Sequence, residues 1–416
     1  MWIACRRPSL VLTVALAAVL LPYALARAFD VVLNAQGEFL DAYLVNGTAF
    51  PPKVIFDDPD PINPDTLDTP LPRGGRHLNG KLCFFPRGFG HNGQYVVADD
   101  TYREACLDRM PPQARCSARG RWFVGTDPDG WGVFSRRGRW KKRHIHAPWN
   151  YPTDPQPQGT IDPQGCVFDG QGRFWGNDVG SGDPGNMDPT QFGSVIVFFP
   201  GPRNRYDSFC FIDNNLHQAG MPAMDEAGNL YVAETGLGRM WKYSPPFPTS
   251  AADCATPNHL VTTPPTKTQF PTPGAATPIG IVRVPGTDHW YIDSVLFPYL
   301  PGQGGGIINE YDKDGVLVRN IAPTNMLKNP LGMAVGSDGT LYYSELNLQL
   351  PDFSTGCGRV SMVRFVGGMP QPPQVLGQNL AFPDGVTVID SSQVRVNFQK
   401  LAPAPEPDPS TCNGGS

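Results

Sequence analysis

The sequence predicts an all-β fold, a six-bladed β-propeller closed by pairing of the N- and C-terminal strands in the last blade. Three observations support it: a repeated glycine motif, paired strand-like runs after each motif, and chain ends that complement each other. Of 416 residues, 46 are Gly, 46 are Pro and only 17% are charged. Such a composition suits short strands joined by many turns.

The repeated motif occurs six times, and five copies read Pro-x-Gly. The copies are Pro86-Arg87-Gly88, Pro163-Gln164-Gly165, Gln218-Ala219-Gly220, Pro278-Ile279-Gly280, Pro330-Leu331-Gly332 and Pro383-Asp384-Gly385. Strand-rich units of roughly 40 to 50 residues or somewhat more are typical of propeller blades. Each motif is therefore expected to begin the first strand of a blade.

Two strand-like runs follow each motif. In the third unit an apolar run after Gly220 leads to a turn at 225–228 and a second run at 229–234. Runs joined by a glycine-containing turn form a hairpin. Outer strands follow, for example Arg239–Tyr243, so that four strands make one blade.

The last unit has an inner hairpin only, beginning at Gly385 and returning through Val394–Asn397. Its outer strands are expected from Val31–Leu40, whose pattern matches the outer hairpin of the fourth blade. Pairing of the two ends would leave no open sheet edge. The sequence thus predicts one propeller domain over 29–400 and a Pro-rich tail over 401–416.

Residues 1–28 have the pattern of a signal peptide. Arg6 and Arg7 precede an apolar run from Leu10 to Leu21, and small-x-small sites follow at 24–28. The run is shorter than the roughly 20 residues needed to span a bilayer, so no membrane span is expected. We expect a secreted or periplasmic protein, exported by the Sec or the twin-arginine route.

Export places the eight cysteines of the mature chain in an oxidising compartment. Cys106 and Cys116 lie in one insertion and are expected to pair, and Cys412 is expected to anchor the tail to Cys357. Loss of Arg6, Arg7 and Arg27 with the signal peptide would change the formal net charge from −5 to −8 (−5 − 3), which disfavours nucleic acid or anionic lipid as a partner. We expect a monomer that binds a small lactone or ester, or an extracellular ligand.

Polar residues are expected at the rim where strand one of each blade starts and strand two ends, which we call the mouth. The residues that end strand two are predicted to be Asp99, Asp178, Glu234, Asp293, Glu345 and Asn397. Clustered carboxylates suit a hard cation such as calcium. Equally, each carboxylate could cap its own loop or pair with an arginine, as Glu234 with Arg239 and Glu345 with Arg359.

Long connections between strands two and three are expected at the same rim. They cover 100–130, 179–192, 294–306 and 346–357, whereas the insertion 244–260 belongs to the opposite side. Long loops in compact domains tend to be binding surfaces.

Few other side chains at the mouth could take part in chemistry. His217 precedes the third motif, where its imidazole could act as a general base near neutral pH or could have no role. His91 is assigned to the first inner strand, and Arg87 and Gln164 occupy the middle position of their motifs.

Three segments resemble the gluconolactonase and senescence-marker-protein group: Gly172–Asp178, Trp290–Ser294 and Phe382–Gly385. The repeat pattern is also similar to NHL-repeat propellers. The resemblance implies a channel calcium held by a glutamate, asparagines and the aspartate of Pro-Asp-Gly, and it implies lactone hydrolysis. Asp384 matches that aspartate, whereas Ile279 stands where the group has asparagine.

The sequence therefore predicts a secreted, metal-assisted hydrolase of a lactone or ester. Asp384, with Glu234, Asp293 and Glu345 as candidate partners, would hold the divalent metal. The attacking water would be activated by the metal or by His217. Two alternatives stay open, a non-catalytic propeller that binds a ligand or protein and a propeller lyase.

Overall fold

The computed structural model describes residues 30–36, 39–45, 53–57, 78–86, 89, 94–99, 130–134, 140–145, 147, 162–180, 192–295, 305–349, 354–355, 358–380 and 383–390. The strands are β1 Asp30–Gln36, β2 Phe39–Val45, β3 Lys53–Asp57, β4 Leu78–Phe84, β5 Tyr95–Asp99, β6 Gly130–Phe134, β7 Trp140–Ile145, β8 Pro163–Phe168, β9 Phe174–Asp178, β10 Gly193–Phe199, β11 Ser208–Leu216, β12 Ala223–Met224, β13 Leu230–Glu234, β14 Arg239–Ser244, β15 Thr266–Phe270, β16 Pro278–Arg283, β17 Trp290–Val295, β18 Gly306–Tyr311, β19 Leu317–Ala322, β20 Pro330–Val335, β21 Leu341–Glu345, β22 Leu348–Gln349, β23 Ser354–Thr355, β24 Gly358–Val363, β25 Phe365–Val366, β26 Met369–Pro370, β27 Gln374–Leu380 and β28 Pro383–Asp390. Short 3-10 turns occur at Pro202–Asn204, Thr235–Leu237, Ala251–Asp253 and Thr324–Met326.

These strands form antiparallel four-stranded sheets, which we number along the chain. Sheets 1 to 6 have the strand orders β4-β5-β6-β7, β8-β9-β10-β11, β12-β13-β14-β15, β16-β17-β18-β19, β20-β21-β24-β27 and β28-β1-β2-β3. Two small hairpins, β22-β23 and β25-β26, complete the described strands. The predicted all-β class is confirmed. No helix in the described part of the chain is long and apolar enough to cross a membrane.

In sheets 2 to 5 the second strand carries aromatic residues that fill the space between sheets. β9, β13 and β21 are buried along their whole length. Trp131 of sheet 1 packs edge-on against Phe174 of sheet 2, with ring centroids 5.4 Å apart. Tyr231 of sheet 3 lies 4.5 Å from Trp290 of sheet 4. Such apolar contacts hold neighbouring sheets together.

The innermost strands contact one another in a cycle that runs β4, β8, β12, β16, β20, β28 and back to β4. A glycine near the start of each of these strands faces the backbone of the next sheet. A Cβ atom added at Gly165 would lie 2.8 Å from Met221 Cα, and one added at Gly220 would lie 2.5 Å from Ile279 O. At Gly280 the added atom would lie 3.0 Å from Leu331 O, and at Gly332 it would lie 2.8 Å from Asp384 O. At Gly80 it would overlap the carbonyl group of Gln164, and at Gly385 it would overlap the carbonyl group of Gly80. We call these six residues the ring glycines. The motif requires glycine because the strands converge too closely for any side chain.

The glycine assigned to the first sheet is corrected by the structure. The innermost strand β4 ends at Phe84, before the Pro86-Arg87-Gly88 motif, and Phe89 N donates to Pro86 O. Leu78 pairs with Asp99 as Pro163 pairs with Asp178, so Gly80 is the equivalent of Gly165. The expectation was wrong because tight turns and ring positions both favour proline and glycine.

The two ends of the chain pair in sheet 6. β1 runs antiparallel to β28 from Asp30 opposite Asp390 to Gln36 opposite Pro383. The N-terminal segment therefore supplies strand two as well as the outer strands. The expected assignment of strand two to Val394–Asn397 is wrong, because β1 occupies that place beside β28; residues 391–416 lie outside the described residues.

Two disulfides join neighbouring sheets in the described part of the chain. Cys83 of β4 bonds to Cys166 of β8, with Cα atoms 6.0 Å apart, and Cys210 of β11 bonds to Cys254 in the 244–260 insertion, with Cα atoms 5.9 Å apart. The expected Cys106–Cys116 and Cys357–Cys412 pairs lie outside the described residues.

The insertion 244–260 packs against the neighbouring sheet. Phe247 lies 4.9 Å from the Trp175 ring, and Leu260 forms a parallel bridge with Phe211 of β11. This contact covers the free edge of sheet 2, which would otherwise expose unpaired backbone groups.

Candidate functional site

The residue that precedes each ring glycine lies near the start of an innermost strand, at the mouth. In cyclic order of the sheets these residues are Asn79, whose side chain lies outside the description, Gln164, Ala219, Ile279, Leu331 and Asp384. Asn79 was not recognised from the sequence because no proline marks its strand. The side chain of Gln164 is half-buried, and Asp384 is 1% exposed.

Asp293 does not end strand two, and the structure corrects that expectation. Ser294 pairs with Pro278 as Asp178 pairs with Pro163 and Glu345 with Pro330, so Ser294 occupies the strand-end position. Asp293 lies one residue earlier. Because side chains alternate along a strand, this shift moves Asp293 to the opposite face of sheet 4.

The residues at the Asp293 position are bonded to the innermost strands. Asn177 Oδ1 accepts a hydrogen bond from Gly165 N at 2.6 Å, and Asn177 Nδ2 donates to Ala219 O. Asp293 Oδ1 accepts from Gly280 N at 2.6 Å, and Ser344 Oγ donates to Asp384 O at 2.8 Å. The sequence signal that could have found them is a polar residue one place before the end of a buried strand two.

Asp293 differs from these neighbours because only one of its two carboxylate oxygens has a hydrogen-bond partner among the described residues. Its Oδ2 atom is buried and has no hydrogen-bond partner within the described residues. Burial raises the pKa of the Asp293 carboxyl to about 7. The hydrogen bond from Gly280 opposes this rise in pKa, whereas the negative charge of Asp384 adds to it.

Asp384 and Gln164 meet across the mouth. Gln164 Nε2 donates to Asp384 Oδ1 at 3.1 Å, which links sheet 2 to sheet 6. Because the side-chain nitrogen makes this hydrogen bond, the side-chain carbonyl oxygen of Gln164 remains as an acceptor. Gln164, Asp293 and Asp384 therefore bring three oxygen-bearing side chains from alternate sheets to the axis of the cycle.

The elevated pKa of Asp293 predicts a pH-dependent stability. Between about pH 4 and pH 7, Asp293 of the folded protein keeps a proton that the unfolded chain has released. The contribution of this proton to the free energy of unfolding is therefore complete below about pH 4 and declines as the pH rises to about 7. The slope is at most about 1.4 kcal/mol per pH unit. Urea unfolding from pH 4 to 8 should show this decline in the wild type and lose it in Asp293→Asn. Asp314→Asn, an exposed control, should keep the decline. An unchanged slope in Asp293→Asn would contradict the assignment.

The strand-end residues Asp178, Glu234 and Glu345 bond to the loop that precedes each motif. Asp178 Oδ1 accepts from Asp162 N at 2.7 Å, Glu234 Oε1 from His217 N at 3.1 Å, and Glu345 Oε1 from Lys328 N at 2.6 Å. Ser294 Oγ accepts from Thr277 N in the same way. These contacts satisfy backbone donors beside the start of strand one.

The expected arginine pairing occurs in one sheet. Arg359 forms an ion pair with Glu345, which is fully buried and also accepts a hydrogen bond from Ser361 at 2.9 Å. In sheet 3, Glu234 instead accepts from Trp241 Nε1 at 2.8 Å. Across the described residues, no three His, Cys, Asp or Glu side chains are grouped so that they could hold a metal ion.

His217 lies at the mouth but apart from the aspartates. Its half-buried ring packs against Phe192, with centroids 4.2 Å apart, and within the described residues it bonds to neither Asp293 nor Asp384. Asp99 ends β5 as expected, with its side chain outside the description. Arg87 and His91 lie outside the described residues, and the strand assigned to His91 ends at Phe84.

Comparison with solved structures identifies the fold. A chain of the nidogen/laminin complex aligns over 86% of this chain and 98% of its own length, with 10% identity and a TM-score of 0.50. This chain is a β-propeller. A gluconolactonase from Xanthomonas campestris aligns over 76% of this chain and 82% of its own, at 13% identity and a TM-score of 0.41. A putative gluconolactonase aligns over 76% and 89%, at 12% identity and a TM-score of 0.41.

The two sequence comparisons gave no match. No protein-family model matches the chain. No curated protein matches it either.

Proposed function

We propose that this chain is an exported, six-bladed propeller that hydrolyses a lactone or an ester at its mouth, with a divalent cation at Asp384. The observation that carries the proposal is the buried Asp293 Oδ2 atom, which has no partner among the described residues although a second carboxylate, Asp384, shares the axis. An unsatisfied buried acceptor is costly and is retained mainly where it has a role.

Three observations support a closed ring of six blades. The innermost strands contact in a cycle, each ring glycine faces the next sheet, and β1 pairs with β28. Closure removes open sheet edges around the axis. The disulfides support export, because they form and persist in oxidising compartments.

The residues at the axis fit a hard cation. Two buried carboxylates from different sheets repel each other unless a proton or a cation neutralises them. Asp384 supplies a carboxylate oxygen, and Gln164 supplies an amide oxygen beside it. Oxygen ligands of this kind suit calcium.

The chemistry divides between the residues of the site. A bound cation would polarise the carbonyl of the substrate and acidify water. Asp293 Oδ1 is held by Gly280 N, which leaves Oδ2 to accept the proton that the attacking water loses. His217 is a second candidate base, and the structure leaves its ring without a hydrogen bond to another described residue.

The second candidate function is a non-catalytic propeller that binds an extracellular ligand. This function is favoured because Asp178, Glu234 and Glu345 accept hydrogen bonds from backbone N–H groups of neighbouring loops. These carboxylates therefore do not line an open site. The same mouth would then recognise a ligand without turnover.

The test combines stability with turnover. A cation that binds only the folded state should stabilise the protein by about 2.7 kcal/mol at a hundredfold excess over its Kd. Calcium should raise Tm and support lactone or ester hydrolysis, whereas chelator should reverse both effects. Asp384→Asn should lose both responses, and Glu226→Gln, 86% exposed, should keep them. If neither cations nor chelator changes Tm and no lactone or ester is hydrolysed, the proposed hydrolysis is wrong and the binding propeller becomes the leading candidate.

A further inference from the structure

The innermost strand of sheet 1 contains one more residue than those of sheets 2, 4, 5 and 6. Residues 79–82 of β4 stand opposite residues 97–98 of β5, whereas residues 164–166 of β8 stand opposite residues 176–177 of β9. Sheets 4, 5 and 6 have the same interval as sheet 2, with three residues opposite two. Sheet 1 therefore has a wider β-bulge at the start of its innermost strand, and bulges beside functional sites redirect a side chain.

Lys81 is the inserted residue. Gly80 corresponds to Gly165, and Leu82 corresponds to Cys166, which is buried as Leu82 is. Lys81 lies between these two positions and has no counterpart in the other four sheets. Gly80 also differs from the other five ring glycines, because its φ of +68° lies in the left-handed region. Glycine adopts this conformation without strain, so it turns the chain where Lys81 is inserted.

Lys81 is enclosed but has no charged partner. A Cβ atom added at Gly385 of sheet 6 would lie 2.4 Å from Lys81 N, and Cys166 Sγ of sheet 2 lies 3.1 Å from Lys81 O. The residue is half-buried. No described residue forms an ion pair or a hydrogen bond with its amine. Burial of a charge without a partner is costly, so stability does not account for a lysine at this position.

The surroundings of Lys81 favour its neutral form. Burial lowers the pKa of the Lys81 amine, because the charged ammonium form loses its hydration. A neutral lysine amine in an enclosed site is a nucleophile toward carbonyl compounds. Binding of an anion would instead need the ammonium form, which burial disfavours. The position therefore suits a covalent bond to carbon better than an ion pair.

We propose that Lys81 is a covalent binding site for a small, uncharged aldehyde or ketone, which its amine holds as a Schiff base. The amine nitrogen attacks the carbonyl carbon, and the carbonyl oxygen leaves as water with the two protons of the amine. A C=N bond replaces the C=O bond, and neither an oxidant nor a reductant is consumed. This inference goes beyond the proposed hydrolysis and does not depend on it.

The position of Lys81 limits the ligand in two ways. The ligand must be small, because the lysine is half-buried in the innermost strand. An uncharged ligand avoids repulsion by the carboxylate of Asp384, which is the chain neighbour of Gly385. Propanal meets both conditions and is the probe in the experiments.

The first experiment labels the whole chain. Propanal and sodium cyanoborohydride at neutral pH convert a Schiff base into a stable secondary amine, and peptide mass spectrometry identifies the modified residue and separates it from the N-terminal amine. Lys81 should be modified at least about tenfold faster than Lys313, whose side chain is 62% exposed, since neutrality and positioning both raise the rate. The rate should saturate with propanal concentration, as binding at a site requires.

The second experiment compares Lys81→Met with the matched control Lys313→Met. Isothermal titration with propanal, without reductant, should show saturable binding to the wild type and to Lys313→Met, and none to Lys81→Met. Lys81→Met should have the Tm of the wild type or a higher one, because methionine fills the position without an enclosed amine. If Lys81→Met does not fold, labelling of the wild type still decides the proposal.

Each of three results would overturn the proposal. They are modification of Lys81 no faster than that of Lys313, a rate that rises with propanal without saturation, and binding retained in Lys81→Met. Labelling requires neither hydrolysis nor a cation, so these results leave the proposed function untouched. Labelling of Lys81 in a protein that hydrolyses no lactone or ester would contradict the proposed function alone.

Discussion

Gly332→Ala is expected to lower the free energy of unfolding by about 3 kcal/mol. The new methyl carbon would lie 2.8 Å from Asp384 O and 2.9 Å from Gly385 Cα. Both atoms belong to the backbone of the next innermost strand, so neither can move as a side-chain end could. Overpacking of a well-packed region typically costs about 1–3 kcal/mol, and the rigid contacts place this site at the upper end.

The matched control is Gly170→Ala. No atom lies within 4 Å of a Cβ at that turn position, so the substitution should leave stability within about 0.5 kcal/mol. Urea unfolding of the two variants provides the comparison. If both variants are as stable as the wild type, the innermost strands do not converge as described.

Removing residues 29–43 is expected to abolish cooperative folding. The deletion takes away β1, which pairs with β28 along its length, and most of β2. It also removes Val32, which packs with Val386 in a buried cluster. Each large aliphatic side chain that loses such burial costs about 1.5–3 kcal/mol, and β28 would become an open edge.

A chain that starts at residue 29 is the control, because it retains β1. Circular dichroism and calorimetry should show one cooperative thermal transition in the control and none in the chain that starts at residue 44. A soluble shorter chain with the same Tm would exclude closure through the N-terminal strands.

The sequence located most of the strands and the ring glycines. Five ring glycines lie in a motif with proline or glutamine two places earlier, and convergence of the innermost strands forces glycine on all six. The aromatic strand-two runs, such as 229–234, were likewise recognisable, because buried β-strands select apolar and aromatic residues. The Glu345–Arg359 pair was predictable because one residue ends strand two and the other begins strand three of sheet 5, where the strands lie side by side.

The local sequence pattern gave a wrong prediction where two different local structures are built from the same residue types. Pro86-Arg87-Gly88 reads like a ring motif but follows β4, whereas Asn79-Gly80 lacks proline and contains the ring glycine. The predicted strand-end position in sheet 4 was wrong by one residue, because spacing along the chain does not resolve Asp293 from Ser294. Such a one-residue shift exchanges the two faces of a strand.

The sequence by itself determined an all-β repeat chain, glycines at close backbone contacts, and an aspartate in Pro-Asp-Gly, because short-range sterics and strand periodicity are local properties. Only the tertiary structure decided which side chains meet. The pairing of Gln164 with Asp384 spans 220 residues, and the unsatisfied oxygen of Asp293 depends on burial by several sheets.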